Sequence, residues 1–368
     1  MEINLTSPIN DLGYGVAGLN ILKGLVRNGC RVSYWPIGQP TARNQEDAEI
    51  INSCVKHTQL FNCEAPSLRI WHQHDMAEHI GRGERVGFPI FELNRFSEIE
   101  KHHLSSLDKI IVCSEWAKSI VESEIKNSKV YVAPLGVDQS LFSAKQKHNK
   151  EKTVFINVGK WEIRKGHDIL IDAFNKAFNQ KDNVELWMMN HNPFLDDHAE
   201  KEWHNLYLES SLGNKIKILP RVETHAEVSD IMSQADVGVF PSRAEGWNLE
   251  ALEMMSLGKH LIMTNYSAHT EFANQENAQL IDVDETESAY DGIWFDGQGE
   301  WASIGEKQIE QLVEHMRGCH LNKDKSNTKG IETAKKFSWD NCANKIIDHC
   351  EAYKQKIDVS EIINDRIV

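Results

Sequence analysis

Pro241-Ser-Arg-Ala-Glu-Gly-Trp-Asn-Leu-Glu-Ala-Leu-Glu253 joins a strand end, a turn, a helix start and two spaced carboxylates in thirteen residues. Before it, Ala235-Asp-Val-Gly-Val-Phe240 reads as a short buried strand. After it, Leu249-Glu-Ala-Leu-Glu-Met-Met-Ser-Leu257 is a helix former closed by Gly258, with Asn248 as its N-cap. Such a turn leaves the backbone N–H groups of Leu249, Glu250 and Ala251 without intrahelical partners, a seat for an anion such as phosphate without a Walker lysine. Glu245 precedes the helix and can point into a crevice beyond the strand ends. Glu253 lies about one turn inside it.

Here the chain resembles the GT-B glycosyltransferases of family 4, whose signature places two glutamates eight positions apart; this sequence reads Glu245-Gly-Trp-Asn-Leu-x-x-x-Glu253. The resemblance implies that Glu245 contacts the sugar of a nucleoside diphosphate sugar donor and Glu253 its ribose. Gly246, Trp247, Asn248 and Leu249 would then line the donor.

Working outward, strand Thr153–Val158 leads into Gly159-Lys-Trp-Glu-Ile-Arg-Lys-Gly166 and a helix over Asp168–Phe178. Lys160 and Lys165 match in spacing the family's phosphate motif, with Lys160 in place of the usual Arg. Two cations beside a pyrophosphate offset charge as a bond to it breaks; the loss of an Arg fork makes the grip less directional. Arg164 reads as solvent-facing. Strands at Val184–Met189, Lys215–Leu219 and His260–Thr264 and helices at Ala199–Leu212 and Ala226–Ser233 complete a second parallel sheet. Met188-Met-Asn-His191 departs from the family's Gly-x-Gly. Glu271, after the last of these strands, resembles a family glutamate and suits a helix cap equally well.

The first half alternates likewise. Glu2–Leu5, a loop with Gly13 and Gly15, and a helix from Val16 to Arg27 precede strands Arg31–Trp35, Ser67–Trp71, Arg85–Phe91, Lys109–Cys113 and Lys129–Ala133, with helices at Ser97–Leu107 and Glu115–Ile125. By the resemblance Gly13 and Gly15 touch the donor diphosphate; as residues alone they suit an ordinary turn, because the third glycine of a dinucleotide fingerprint is missing. His72 and His74 follow a strand end on one face, and the resemblance puts His74 near the sugar. A metal is the other reading of this pair, but no third ligand follows at a suitable spacing, so no metal centre or cofactor is expected. Pro134-Leu-Gly-Val-Asp138 and Phe337-Ser-Trp339 resemble family landmarks at the domain boundary and before a C-terminal helix.

The expected architecture is therefore α/β, a GT-B fold of two Rossmann-like parallel-sheet domains facing across a crevice. An acceptor domain spans 1–145, and a donor domain spans 152–338. Ser143–Lys152 links them, and a crossover helix over 339–358 returns to the first. The 368 residues suffice for two cores. No apolar run nears the ~20 residues of a membrane helix, and Met1-Glu-Ile-Asn-Leu-Thr6 lacks a signal-peptide pattern, which together lead us to expect a cytoplasmic protein. Seven cysteines without Cys-x-x-Cys argue against a disulfide framework or a zinc ribbon. Of the net charge of −15, residues 1–145 carry −2 and the remainder −13. With no basic face, binding to nucleic acid or anionic lipid is disfavoured. Asp282–Glu300 holds seven acidic residues, no basic one and several aromatics. It is the segment least like the family, and reads as an excursion near the site rim whose aromatics pack on the second domain.

The implied activity is hexosyl transfer to an acceptor hydroxyl, retaining and metal-independent, with Glu245, His74 and Lys165 catalytic. Lys160, Lys165, Glu253 and the glycine loop would bind the donor. The acceptor is expected to be a glycan or envelope glycoconjugate. A modified nucleobase of phage-type DNA is the alternative acceptor, the one role left to nucleic acid. Alternative functions on the same fold are a nucleotide-sugar epimerase and a non-catalytic glycan-binding module.

Overall fold

The computed structural model of the protein describes residues 1–144 and 151–351. Strands rich in Ile, Val and Leu are covered on both faces by the helices between them, as parallel sheets require. The chain runs β1 (Glu2–Ser7), α1 (Gly13–Arg27), β2 (Arg31–Pro36), α2 (Gln45–Lys56), β3 (Ser67–Trp71), β4 (Arg85–Pro89), α3 (Glu98–Ser105), β5 (Lys109–Val112), α4 (Glu115–Glu124) and β6 (Val130–Val132). These six strands form one sheet in the order β2-β1-β3-β4-β5-β6, parallel throughout.

A second parallel sheet follows: β7 (Thr153–Gly159), α5 (His167–Ala177), β8 (Val184–Asn190), α6 (Asp197–Leu208), β9 (Ile216–Ile218), α7 (His225–Gln234), β10 (Val237–Phe240), α8 (Leu249–Ser256), β11 (His260–Thr264) and β12 (Gln279–Ile281). Its order is β12-β11-β10-β7-β8-β9. Chain direction reverses between β7 and β10, so the loops leaving these neighbouring strands diverge and open a crevice at their C-terminal ends. Both phosphate-type motifs leave the sheet at that point. In the first sheet the corresponding split lies between β1 and β3, which puts residues 8–12 and His72 at the facing edge.

Beyond β12 come an antiparallel hairpin of β13 (Thr286–Tyr290) and β14 (Asp296–Ala302), then α9 (Glu306–Leu321), α10 (Thr328–Ala334) and α11 (Trp339–Glu351). Helix α11 lies on α1 so closely that a Cβ on Gly24 would sit 2.8 Å from Ala343. The two boundary motifs meet: the Val137 N–H donates to Phe337 O at 3.1 Å, and a Cβ on Gly136 would lie 2.2 Å from the Trp339 nitrogen. Most of the expected linker, residues 145–150, and the last part of the crossover helix lie outside the described residues.

Three local readings change. Helix α1 starts at Gly13, with Leu12 at the N-cap position, so Gly13 and Gly15 occupy its first turn instead of a free loop. A Cβ on Gly15 would lie 2.2 Å from the Asn10 nitrogen; this glycine lets the helix approach the preceding loop. Helix α2 and strand β12 escaped the sequence reading, β12 being only three residues long. Acidic Asp282–Glu300 is mostly hairpin, tied to both domains.

Candidate active site

Glu245 is buried in the turn between β10 and α8, held on every side. Its backbone N–H donates to Ser267 Oγ at 2.8 Å, and the Ser242 hydroxyl donates to its Oε1 at 2.8 Å. Lys165 Nζ lies 2.9 Å from the same oxygen, and Arg164 Nη1 2.9 Å from Oε2. Burial by itself would raise the Glu245 carboxyl; Lys165 and then Arg164 more than offset this and hold it far below the usual carboxylate range. It is a fixed anion at working pH.

Arg164 is not solvent-facing, as the sequence suggested. It is buried, donating to Ala244 O at 2.7 Å and to Glu162 Oε2 at 2.6 Å besides Glu245. Glu162 in turn sits 2.7 Å from Lys160 Nζ. Burial raises the Glu162 carboxyl, yet Arg164 and Lys160 bring it down to about 2. The guanidinium also approaches Glu92 of the first domain, at 3.9 Å. Burial raises Glu92, with Arg164 opposing. Three cations therefore face three carboxylates. In this arrangement Lys165 is committed to Glu245, whereas Lys160 keeps 35% of its side chain exposed toward the crevice.

The loop carrying these cations is set by buried neighbours. His167 accepts from the Glu162 N–H at 3.2 Å through Nδ1, so its Nε2–H donates to Asn157 Oδ1 at 3.0 Å. Burial pushes His167 down to about 3, which keeps it neutral and this tautomer fixed. Gly166, with φ of 73°, passes so close to Pro241 that a Cβ would meet its carbonyl oxygen at 2.1 Å. Contact between the two switch-point loops thus requires glycine here.

At the helix start, Asn248 caps α8 from the left-handed region, φ 78°, accepting from the Ala251 N–H at 3.1 Å. That contact takes one of the three donors expected to face an anion and leaves Leu249 and Glu250 opening the helix. The Asn248 amide donates to His269 Nε2 at 2.9 Å, and His269 Nδ1–H donates to Thr264 O at 3.0 Å. Burial pushes His269 down to about 4. Gly246 O accepts from Cys113 Sγ of the first domain at 2.8 Å. Trp247 is buried against Phe272 and Phe337, so it packs the core beneath the turn. Glu253 is buried within α8, and burial and then Glu250 raise its carboxyl well above the usual range, with Arg43 of the first domain opposing.

His72 and His74 stack with ring centroids 5.2 Å apart. His72, half-buried beside Tyr14, is pushed down to about 4 by burial, by His74 and by Lys160 across the crevice, so it is the ring that feels the cation cluster. His74 is exposed in the turn after β3. Glu271 accepts from the Glu115 N–H at 2.8 Å and so caps α4 of the opposite domain. Its capping role crosses the crevice, as does the Arg221 to Asp11 pair at 2.7 Å. Arg164, Glu162, Glu92, Ser267 and His269 were missed as site residues. The signal for the first was an Arg beside Lys165 in a loop entering a switch point; the others come from distant elements. A cavity of about 320 Å³ lies near the start of β11 and the end of α9, away from this network. Among the described residues no group of three or more His, Cys, Asp or Glu is placed to hold a metal ion, and no helix is long and apolar enough to cross a membrane.

Residues 138–295 match the family model described as glycosyl transferases group 1. An uncharacterized glycosyltransferase of Methanocaldococcus jannaschii is 27% identical over 248 residues, 66% of this chain and 59% of its own length. The chain thus spans less than two thirds of that relative. Among solved structures, sucrose-phosphate synthase from Thermosynechococcus elongatus superposes with a TM-score of 0.72 at 16% identity, covering 96% of this chain and 98% of its own. The Anabaena protein HepE in complex with UDP-glucose gives 0.67 at 16%, covering 95% and 99%. These likenesses fix the GT-B fold, and residues 138–295 are similar to the group 1 glycosyl transferases.

Proposed function

We propose that the protein transfers a hexose-type sugar from a nucleoside diphosphate sugar to an acceptor hydroxyl, with retention of configuration and without a metal ion. One observation carries this reading: a buried Glu245, ion-paired with both Lys165 and Arg164, sits beside a helix start at the switch point of the second sheet. The capture of HepE with UDP-glucose supports a donor of this class. In this scheme Lys160 and the N–H groups of Leu249 and Glu250 hold the diphosphate, and Glu245 accepts hydrogen bonds from sugar hydroxyls. Glu253 accepts from the ribose hydroxyls, and His74 or its neighbour His72 orients the sugar from the first domain. The bond from the anomeric carbon to the diphosphate oxygen breaks as the acceptor oxygen bonds that carbon. The departing oxygen takes the acceptor proton on the same face, and Lys160 offsets the charge that develops. Retention rests on the family resemblance. A glycan or envelope glycoconjugate acceptor and a cytoplasmic setting complete the proposal.

Incubation with a panel of nucleoside diphosphate sugars, with product configuration read by NMR, tests it. Transfer or slow hydrolysis releasing nucleoside diphosphate, with the anomeric configuration kept, is the expected result. Inversion would remove the mechanism. Epimerised donor without released diphosphate would show an epimerase, and binding without turnover of any donor a non-catalytic module.

A further inference from the structure

We propose that Phe194 and Trp294 form a subsite for a neutral sugar ring of the acceptor at the rim of the crevice, an inference that rests on the glycosyl-transfer reading above. Phe194 follows β8 and is 57% exposed; Trp294, between β13 and β14, is 49% exposed. Their rings meet edge to face with centroids 5.7 Å apart. Lys160 Nζ stands 5.6 Å over the Phe194 ring. The cation assigned to the diphosphate thus stands over one ring of the aromatic pair, which makes the platform continuous with the site.

The hairpin tip that presents Trp294 is preorganised. A single oxygen of Asp291 accepts the N–H groups of Ile293, Trp294 and Phe295 at 2.9, 2.7 and 2.9 Å. The Asp291 N–H donates to Phe295 O at 3.1 Å, and the Phe295 ring packs on buried Trp301. The hairpin is also anchored to the first domain, where the Glu300 N–H donates to Asn94 Oδ1 at 2.8 Å and the Gln298 amide to Glu100 at 2.7 Å. A rigid turn that holds an indole half in water presents apolar surface for contact. The charge of this segment selects the occupant. Seven acidic residues and no basic one in 282–300 repel phosphate backbones and anionic lipid. A neutral pyranose, with C–H groups on its faces for aromatic contact, meets no such penalty.

Calorimetry with maltotetraose, cellotetraose and mannotetraose in the presence of UDP, on wild type, Trp294→Ala and Phe194→Ala, tests the subsite. At least one oligosaccharide should bind the wild type, each variant should weaken it tenfold or more, and UDP affinity should stay within twofold. Both side chains are half exposed, so melting temperatures should be unchanged. An oligosaccharide affinity untouched by both variants, or no binding of any of the three, overturns the proposal. An equal loss of UDP affinity would assign the platform to the nucleobase, and loss of binding to phosphatidylglycerol vesicles would assign it to a membrane; each overturns it. A wild type that binds no nucleoside diphosphate would bring down the transfer reading itself, and the subsite with it.

Discussion

Replacing Arg164 by alanine should unfold the second domain more readily than any other single change in the site. The guanidinium is buried and donates to Ala244 O, Glu245 and Glu162 at 2.6 to 2.9 Å. Its removal strands two buried carboxylates with one lysine each. Breaking a buried pair from one side costs roughly 3–5 kcal/mol, because the partner's desolvation is no longer compensated. For a domain of this size each kcal/mol shifts the melting temperature by about 2–4 °C, so a fall of about 10 °C is expected by calorimetry. The pH dependence gives a second reading. A carboxyl whose folded pKa is depressed, as for Glu245 and Glu162, contributes stability present above its unfolded pKa of about 4.5 and lost as pH falls toward the folded value. The variant should therefore lose stability mainly above pH ~4.5, and its melting curve should converge on wild type in strong acid. A melting temperature within 1 °C of wild type at pH 7 would refute the buried network as a structural element.

Lys160→Ala should do the reverse: its ion pair is partly exposed and worth about 0–1 kcal/mol, so stability should barely change while turnover falls by orders of magnitude. Equal losses in both would make Lys160 structural. Glu253 carries a raised folded pKa, so ionising it lowers stability as pH rises above ~4.5; Glu253→Gln should keep or raise the melting temperature at pH 7. The same variant should weaken nucleoside diphosphate binding, since one of the two side-chain oxygens offered to the ribose hydroxyls becomes an amide NH2, and calorimetry showing unchanged affinity would reject the ribose role. Because Lys160 and the start of α8 serve the proposed diphosphate site, activity should persist in EDTA. Its abolition, restored by a divalent ion, would contradict the metal-free mechanism.

Local signals in the sequence determined much of this protein: alternating strands and helices, Asn248 as a cap, and the order of the lysine and glutamate motifs. Those features depend on spacing along a few residues, where strand length, capping chemistry and helical period act. The tertiary structure alone decided which charges work and which hold the scaffold. Arg164 and Lys160 look alike in Gly159–Gly166, yet one is buried between Glu162 and Glu245 while the other faces the crevice. That difference arises because β7 and β10, 82 residues apart in this pairing, lie side by side at the switch point and bring Ala244 O and Glu245 over the loop. The same holds for the acidic segment after β12. Its composition showed charge and aromatics, but only its folding into a hairpin across both domains put Trp294 beside Phe194 and left Trp301 in the core. Charge and aromatic character are properties of a residue; their exposure is set by neighbours that the chain brings from far away.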